Sequence, residues 1–431
     1  MTISKFGGLA AMLLAGALAL ASLPAAGQGL YTNGLPVAGD SQYPSTLPLT
    51  GDEQIPADTM LSSGLNPATE AITTGQLAAY VGGELGTMRN GLIGGDFGQN
   101  LWQRGTTSAS ITTALLYGPD RWWGLSGTGT AFTIIQKTTS LPEGFAGSAR
   151  VQRTASQTGV LPVCFGQVLS TANSVQYQGK TVEFTFWAKS GANFSAASSL
   201  VTATVATGTG TNGSAADFST GSWTGYAAAV ASAVTIDTTW TRYGVVASIP
   251  TTAAQVGVKI CYTPVGTAGA NDWFEVAGTQ LAINAAAQNY LGGSDDTPLV
   301  ALEFEHRLTP IETALQQAYY FRVTESATIT PIAPCAAIDT THTNCFLVFP
   351  TTMRTTPTMT YTAGFASPTS TTQATLGACS ALATAVTVTS ATINPNGALI
   401  TCTATTIPAA GVASFMYSNG GSGVIQASAE L

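Results

Sequence analysis

The stretch at residues 90–123 concentrates the side chains of this sequence that could do chemistry. Only 8% of the 431 residues are charged, yet this stretch combines charged and aromatic residues: Asp96, Phe97, Trp102, Arg104, Asp120, Arg121, Trp122 and Trp123. Its carboxylates could act as acids or bases, and its rings could stack on a ligand. An Asp–Arg pair among Trp rings could instead hold a strand and its following loop in register. Pairing of Asp96 and Asp120 with Arg104 or Arg121 is the favoured interpretation.

The sequence lacks the residue motifs that common types of enzyme catalysis need. Glycoside hydrolysis uses two carboxylates facing one cleft, and the 22 acidic residues are mostly scattered. Asp295 and Asp296 lie in a turn-like GGSDDT segment, where solvated side chains explain them. No G-x-S-x-G elbow or phosphate-binding loop occurs, and His306 and His342 are predicted surface residues. The sequence therefore predicts a protein that is not an enzyme and needs no cofactor.

Carbohydrate binding suits the aromatic residues better. Sugars are bound when an aromatic face stacks on the ring while nearby polar groups bond its hydroxyls, and Trp123, Trp223 and Tyr226 could form such a platform. Three tryptophans in strand-like motifs are predicted core residues: Trp102, Trp122 and Trp187. Successive strand side chains face opposite ways, so Trp123 faces outward if Trp122 faces inward. Trp123 is the predicted exposed contact, with packing between domains or subunits as the alternative.

The charge balance and the cysteines limit the partners and the compartment. A net charge of −8 with only 14 Lys and Arg residues argues against nucleic acid, which needs a basic face. Six cysteines favour disulfide bonds and an oxidising destination. A Cys164–Cys261 bond within one predicted domain and two bonds among the C-terminal four are expected, with free thiols as the alternative: Cys335, Cys345, Cys379 and Cys402. No ligand spacing predicts a metal site.

The elements that must position these residues are mainly strands. Seven runs between residues 89 and 290 have strand patterns, separated by Gly-rich turns: 132–136, 149–153, 182–188, 200–205, 241–248, 254–262 and 273–283. Many short strands with such turns predict a sandwich or jelly roll. The composition suits this architecture, because Thr and Val are favoured in strands and Gly, of which there are 47, is favoured in turns.

The flanking regions have other patterns. Residues 1–27 contain Lys5, an apolar run and then small residues, which predicts a signal peptide, with a membrane anchor or buried helix as the alternative. Residues 28–88 are a predicted linker and a neck helix, which packs on its own domain or in a trimer. Residues 291–322 are a predicted linker and helix with one apolar face, and residues 323–431 a C-terminal β-domain. The residues of that helix face are Ile311, Leu315, Ala318 and Tyr319.

Several motifs occur in an order that resembles bacteriophage tail-fibre and receptor-binding proteins. NGLIGGDFGQNLWQRGT and YGPDRWW, within residues 90–123, resemble the family's NGDF…WQRGT…ADRW opening. GKTVEFTFWAKSG (179–191), WTGY (223–226), TTWTRYGV (238–245) and DWFEVAGTQLA (272–282) resemble its later markers, with Ala282 in place of the usual Glu. EFEHRLTPIETALQQAYYF (303–321) resembles its helix, with Gln316 and Ala318 replacing Cys and Arg.

This resemblance implies a mainly β protein: a jelly-roll β-sandwich like that of carbohydrate-binding modules, a linking helix, a smaller C-terminal β-domain and an extended N-terminal segment. It implies a non-catalytic adhesin that binds cell-surface carbohydrate, as a homotrimer attached through its N-terminal segment to other virion or surface proteins. A structural calcium held by Asp96 and Asp272 is possible in such jelly rolls. The expected location is the virion tail or, given the signal-like segment, outside the cell. The alternatives are a secreted bacterial surface protein built from the same modules and, less favoured, a polysaccharide depolymerase.

Overall fold

The computed structural model describes residues 31–32, 35–36, 54–58, 69–73, 89–98, 102–284, 303–324, 331–339, 341–361, 366–368, 376–378, 393–403, 410–411, 413–417 and 423–431. The signal-like segment, the neck helix predicted after residue 74 and the Asp295–Asp296 turn lie outside this part. The chain divides into two compact units, residues 1–86 and 87–431. No helix in the described ranges is long and apolar enough to cross a membrane.

The first unit contains short strands within the region predicted to be a linker. They form two antiparallel pairs: β1 (Tyr31–Thr32) with β2 (Leu35–Pro36), and β3 (Gln54–Asp58) with β4 (Thr69–Thr73). The predicted linker therefore includes local strand pairing.

Two antiparallel sheets form the β-sandwich of the second unit. Its strands are, in chain order, β5 (Leu116–Tyr117), β6 (Trp123–Ser126), β7 (Phe132–Lys137), β8 (Ser148–Arg153), β9 (Val163–Val168), β10 (Thr181–Ser190), β11 (Leu200–Gly208), β12 (Ala227–Thr235), β13 (Thr241–Ser248), β14 (Gln255–Tyr262) and β15 (Trp273–Ile283). One sheet has the order β13-β10-β15-β8-β7 and the other β12-β11-β14-β9-β6-β5. The main core contains residues of both sheets, so the predicted mainly β, jelly-roll architecture is confirmed.

Side-chain alternation explains how the sandwich encloses its core. In β10 the rings of Phe184 and Phe186 lie in the main core, so Thr185 and Trp187 between and after them face outward. All seven predicted runs are strands, whereas the other four strands of the sandwich, β5, β6, β9 and β12, are not among the predicted runs. Trp102 and Trp122 lie in the core as predicted.

The described part of the second unit also contains three short α-helices: α1 (Thr171–Ser174), α2 (Ala215–Thr220) and α3 (Thr309–Gln317). The Ser214 hydroxyl caps α2 by accepting a hydrogen bond from Asp217 N at 3.1 Å, and α2 ends at Gly221 with φ 76°. The predicted linking helix is α3, and its predicted apolar face is only partly buried. Tyr319 is buried, Leu315 and Ala318 are half-buried, and Ile311 is 39% exposed.

The C-terminal β-domain has its own core. Its strands are β16 (Tyr320–Thr324), β17 (Pro331–Ala337), β18 (His342–Val348), β19 (Thr358–Tyr361), β20 (Ala366–Pro368), β21 (Leu376–Ala378), β22 (Ile393–Asn394), β23 (Gly397–Thr403), β24 (Ala413–Tyr417) and β25 (Val424–Ser428). They form a three-stranded sheet, β16-β25-β19, and a seven-stranded sheet, β21-β20-β24-β17-β18-β23-β22.

Disulfide bonds tie neighbouring strands in both domains. Cys164 on β9 is bonded to Cys261 on β14, and Cys335 on β17 is bonded to Cys345 on β18. The side chains of the remaining two cysteines, Cys379 and Cys402, lie outside the described residues.

A charged cluster joins the sandwich to the C-terminal domain. Arg104 forms an ion pair with Asp120 at 2.7 Å and with Glu430 at 3.2 Å, and Arg121 also pairs with Glu430. We call Arg104, Asp120, Arg121 and Glu430 the interdomain clamp. The predicted pairing is confirmed for Asp120. It is wrong for Asp96, whose Oδ1 instead accepts a hydrogen bond from Gly98 N at 3.2 Å.

Three of the four clamp side chains are buried, Arg104 is 17% exposed, and an aromatic ring packs against each of the clamp's two cations. The guanidinium of Arg104 lies 3.4 Å from the ring centroid of Tyr320, and that of Arg121 lies 3.7 Å from the ring centroid of Tyr319. Burial raises the pKa of Asp120 to about 7, although the charge of Arg104 acts in the opposite direction. Residues of the opening motif therefore hold two domains together.

Candidate functional site

The structure brings the three aromatic residues of the predicted platform together. Phe218 of α2 lies at their centre, with ring centroids 5.9 Å from Trp123, 4.7 Å from Trp223 and 6.2 Å from Tyr226. The Trp223 Nε1 group donates a hydrogen bond to Ser214 O at 2.9 Å. This cluster is a second, smaller core on the outer side of the six-stranded sheet.

The predicted exposure of Trp123 is wrong. Its side chain is 0% exposed, Trp223 is 4% exposed, and only Tyr226 is partly accessible. The alternation argument itself holds, because Trp122 lies in the main core and Trp123 lies on the opposite face. That opposite face is covered by α2, and the alternation of side chains within one strand does not show whether another element packs on its outer face. Trp123 and Trp223 therefore do not form an accessible stacking surface.

Partly accessible tryptophans lie instead on the outer face of the five-stranded sheet. Trp187, Trp240 and Trp273 are all half-buried, so the prediction that Trp187 belongs to the core is wrong. We call these three indoles, with Arg150, Lys189 and Glu275 between them, the tryptophan face. Its members are Trp187 and Lys189 of β10, Trp240 before β13, Trp273 and Glu275 of β15, and Arg150 of β8.

Strand register places the polar members of this face side by side. Lys189 of β10 is opposite Glu275 of β15, and Glu275 is opposite Arg150 of β8. Inward-facing neighbours such as Phe274 and Val276 lie in the main core. The three charged side chains consequently project from the same outer face in one row across the sheet.

Ion pairs fix the orientation of this row. Glu275 is 1% exposed, accepts a hydrogen bond from Arg150 Nε at 2.6 Å and lies 3.4 Å from Lys189 Nζ. Its carboxylate oxygens are therefore engaged by two cations, and it does not resemble a free general acid or base.

The same cations contact two of the indoles. The Arg150 guanidinium lies 4.0 Å from the ring centroid of Trp273, and Lys189 Nζ lies 4.8 Å from that of Trp240. Cation–π contacts of this kind are favourable. The Trp240 Nε1 and Lys189 Nζ groups also donate hydrogen bonds to Ser140 O, at 2.6 Å and 2.9 Å. The tryptophan face is thus held in position before any ligand arrives.

The chemistry available on this face is stacking and hydrogen bonding. Partly exposed indoles offer apolar surfaces, and the Arg and Lys side chains between them offer N–H donors. A signal for Trp187 was present in the sequence: Phe184, Phe186 and Ala188 alternate on one side of the strand, so Trp187 had to face the other side.

The calcium ligands suggested by the resemblance have other partners. Asp272 pairs with Arg153 at 3.1 Å, and its oxygens accept hydrogen bonds from Ser195 N at 3.0 Å and from the Ser195 hydroxyl at 2.8 Å. Within the described part of the chain no group of three or more His, Cys, Asp or Glu side chains could hold a metal ion.

Comparison with known proteins finds similarity only among solved structures. No protein-family model matches the sequence, and no curated protein is significantly similar to it. A structure described as CBM4 is 14% identical with a TM-score of 0.23, covering 35% of this chain and 78% of that one.

Two further structures have comparably low TM-scores. A xylan-binding domain from CBM 22 is 15% identical with a TM-score of 0.25, covering 42% of this chain and 98% of that one. The enzymatically active domain of bacteriophage CBA120 tailspike protein 4 is 13% identical with a TM-score of 0.28, covering 46% of this chain and 22% of that one. Because these scores are low, the assignment of a β-sandwich rests on the chain's own sheet order.

Proposed function

We propose that this protein is a non-catalytic adhesin that binds cell-surface carbohydrate through the tryptophan face. The observation that carries the proposal is the set of three partly exposed indoles around a fixed row of charged side chains on one sheet face. Indole faces stack on the C–H surface of sugar rings, and the guanidinium and ammonium groups of Arg150 and Lys189 donate hydrogen bonds to hydroxyls. The cation pairing of Glu275 supports binding without hydrolysis.

The motifs that resemble phage tail-fibre proteins support a location of this glycan-binding protein on a virion. In the proposed arrangement, three copies of the chain assemble on a virion tail, the N-terminal segment attaches them to other virion proteins, and the sandwich faces the host surface.

Replacement of an indole of the tryptophan face is expected to weaken glycan binding. Trp187→Ala and Trp240→Ala should each lower affinity about tenfold or more, since truncating a central aromatic contact typically costs about 2 kcal/mol. An array of bacterial surface polysaccharides would identify the ligand for the wild type, and calorimetry would then measure its affinity for each variant.

The control variant is Phe346→Ala, which removes an exposed ring of the C-terminal domain and should bind like the wild type. Equal affinity in the wild type and both Trp variants would exclude the tryptophan face. Release of oligosaccharides from the bound polysaccharide would instead support a depolymerase and contradict the non-catalytic assignment.

A second candidate is a secreted bacterial surface protein with the same glycan-binding function. The Cys164–Cys261 and Cys335–Cys345 bonds favour it, because disulfides persist in oxidising compartments. The N-terminal residue of protein recovered from its natural source would separate the two. Virion protein is expected to retain residues 1–27, whereas cleavage near residue 27 with recovery from the periplasm or medium would favour secretion.

A further inference from the structure

An open groove lies on the outer face of the six-stranded sheet, the sheet that does not carry the tryptophan face. Its volume is about 500 Å³, within the range of small-molecule sites. Its lining includes Thr202, Thr204, Ser219, Lys259 and the Cys164–Cys261 disulfide. We call this set the lysine groove.

Strand register explains why this part of the face is open. Thr204 of β11 is opposite Lys259 of β14, and Thr202 is opposite Cys261. On the edge strand β12, these two threonines are opposite Ala231 and Ala233. Thr202, Thr204 and the disulfide therefore lie side by side in the groove, and larger residues, including Leu200, also line it. Helix α2, which covers the neighbouring part of the face over Trp123, provides one wall through Ser219.

Lys259 is the only cation that lines this groove among the described residues, and it has no carboxylate partner there. Its ammonium group donates hydrogen bonds to Ser219 O at 3.0 Å and Phe218 O at 3.4 Å. It also lies 5.1 Å from the ring centroid of Phe218 and 5.7 Å from that of Tyr226.

These contacts hold the ammonium group beside the groove in a partly dehydrated setting. Desolvation lowers the pKa of Lys259, because burial disfavours the charged form when no opposite charge compensates it. A ligand carboxylate would supply that missing charge. The hydroxyls of Thr202 and Thr204 can donate to and accept from the hydroxyls of a sugar. The Ser219 hydroxyl donates to Ala216 O at 2.7 Å and can accept a hydrogen bond from the ligand.

We propose that the lysine groove binds a carboxylate-bearing sugar of an acidic polysaccharide, with Lys259 pairing with the carboxylate. The groove would be a second carbohydrate site on the face of the sandwich opposite the tryptophan face, and it would select for charge. It extends the proposed function but uses none of the residues of the tryptophan face.

The test compares uronate tetramers with their methyl esters, in which each carboxyl group carries a methyl group and has lost its negative charge. Calorimetry on the full chain would use tetramers of galacturonate, mannuronate and guluronate. The wild type is expected to bind at least one acid about tenfold more tightly than its ester. Lys259→Met should remove this preference, Lys259→Arg should retain it, and Lys180→Met, at an exposed lysine elsewhere, should not change it.

Two results would overturn the proposal: no preference for any acid in the wild type, or an unchanged preference in Lys259→Met. Thermal unfolding would show whether each variant is folded, and the Lys259→Arg variant controls for packing of the side chain. Trp240→Ala should keep the preference for the acid. The two proposals can therefore be contradicted independently, since Lys259 variants report only on the lysine groove and Trp variants only on the tryptophan face.

Discussion

Glu430→Ala is expected to lower the free energy of unfolding by about 3–5 kcal/mol, the cost typical of removing one partner from a buried ion pair. The side chain of Arg121 is 1% exposed and that of Glu430 is 6% exposed, so the substitution leaves a buried guanidinium without its counter-ion. Arg121 has few other partners: Nη2 donates a hydrogen bond to Val168 O at 2.6 Å, and the guanidinium contacts the Tyr319 ring.

Denaturant unfolding would measure this loss, with Glu143→Ala at an exposed acid as the control. A double variant, Glu430→Ala with Arg121→Met, separates the cost of an unpaired buried charge on Arg121 from the cost of the packing lost at residue 430. It should recover much of the stability, because replacing a whole buried ion pair by apolar groups is often nearly neutral. A single variant within about 0.5 kcal/mol of the wild type, the range of ordinary surface substitutions, would show that the clamp does not stabilise the fold.

Asp272→Ala is expected to produce a loss of similar size, about 3–5 kcal/mol, and to loosen one end of the sandwich. Asp272 and Arg153 are both fully buried. The guanidinium also donates hydrogen bonds to three carbonyl groups, Gln157 O at 2.9 Å, Gly159 O at 2.6 Å and Gly266 O at 3.0 Å. Since these carbonyls belong to two loops, the ion pair holds both loops in place.

Limited proteolysis would show the local effect, and denaturant unfolding the global one. New cleavage is expected between residues 154 and 162 and between residues 263 and 271. Asp272→Asn should fall between the wild type and the Ala variant, because its single side-chain oxygen can still accept the hydrogen bond from Ser195 N but the charge is lost. Unchanged stability and cleavage in Asp272→Ala would mean that the loops are held by other contacts.

The strands were predictable where one side of the strand faces the core and the other does not. Strand β10 has this alternation, and its bounds were predicted closely. Strand β9 is buried along its whole length, because α2 and Trp123 cover the outer side of its sheet, so VCFGQV shows no alternation. The edge strand β12, AAAVASAVT, is mostly exposed and lacks large apolar residues that would reveal a period.

The candidate sites were less predictable, since they depend on which strands become neighbours. Lys189, Glu275 and Arg150 are distant in sequence, and only the order β10-β15-β8 with its register aligns them. Lys259 reaches the groove for a similar reason, through pairing of β14 with β11. The resemblance drew attention to residues 90–123, but the charged members of that motif are mainly interdomain contacts.

The position of β25 in its sheet has a consequence for the order of folding during synthesis. This strand lies between β16 and β19, yet it leaves the ribosome after both of them and after the whole sandwich. Its neighbour Glu430 meets Arg121 across a sequence separation of 309 residues. Closing so long a loop is entropically costly and slow. The sandwich strands are therefore synthesised, and can collapse, before the centre of the three-stranded sheet and the counter-ion of Arg121 are available.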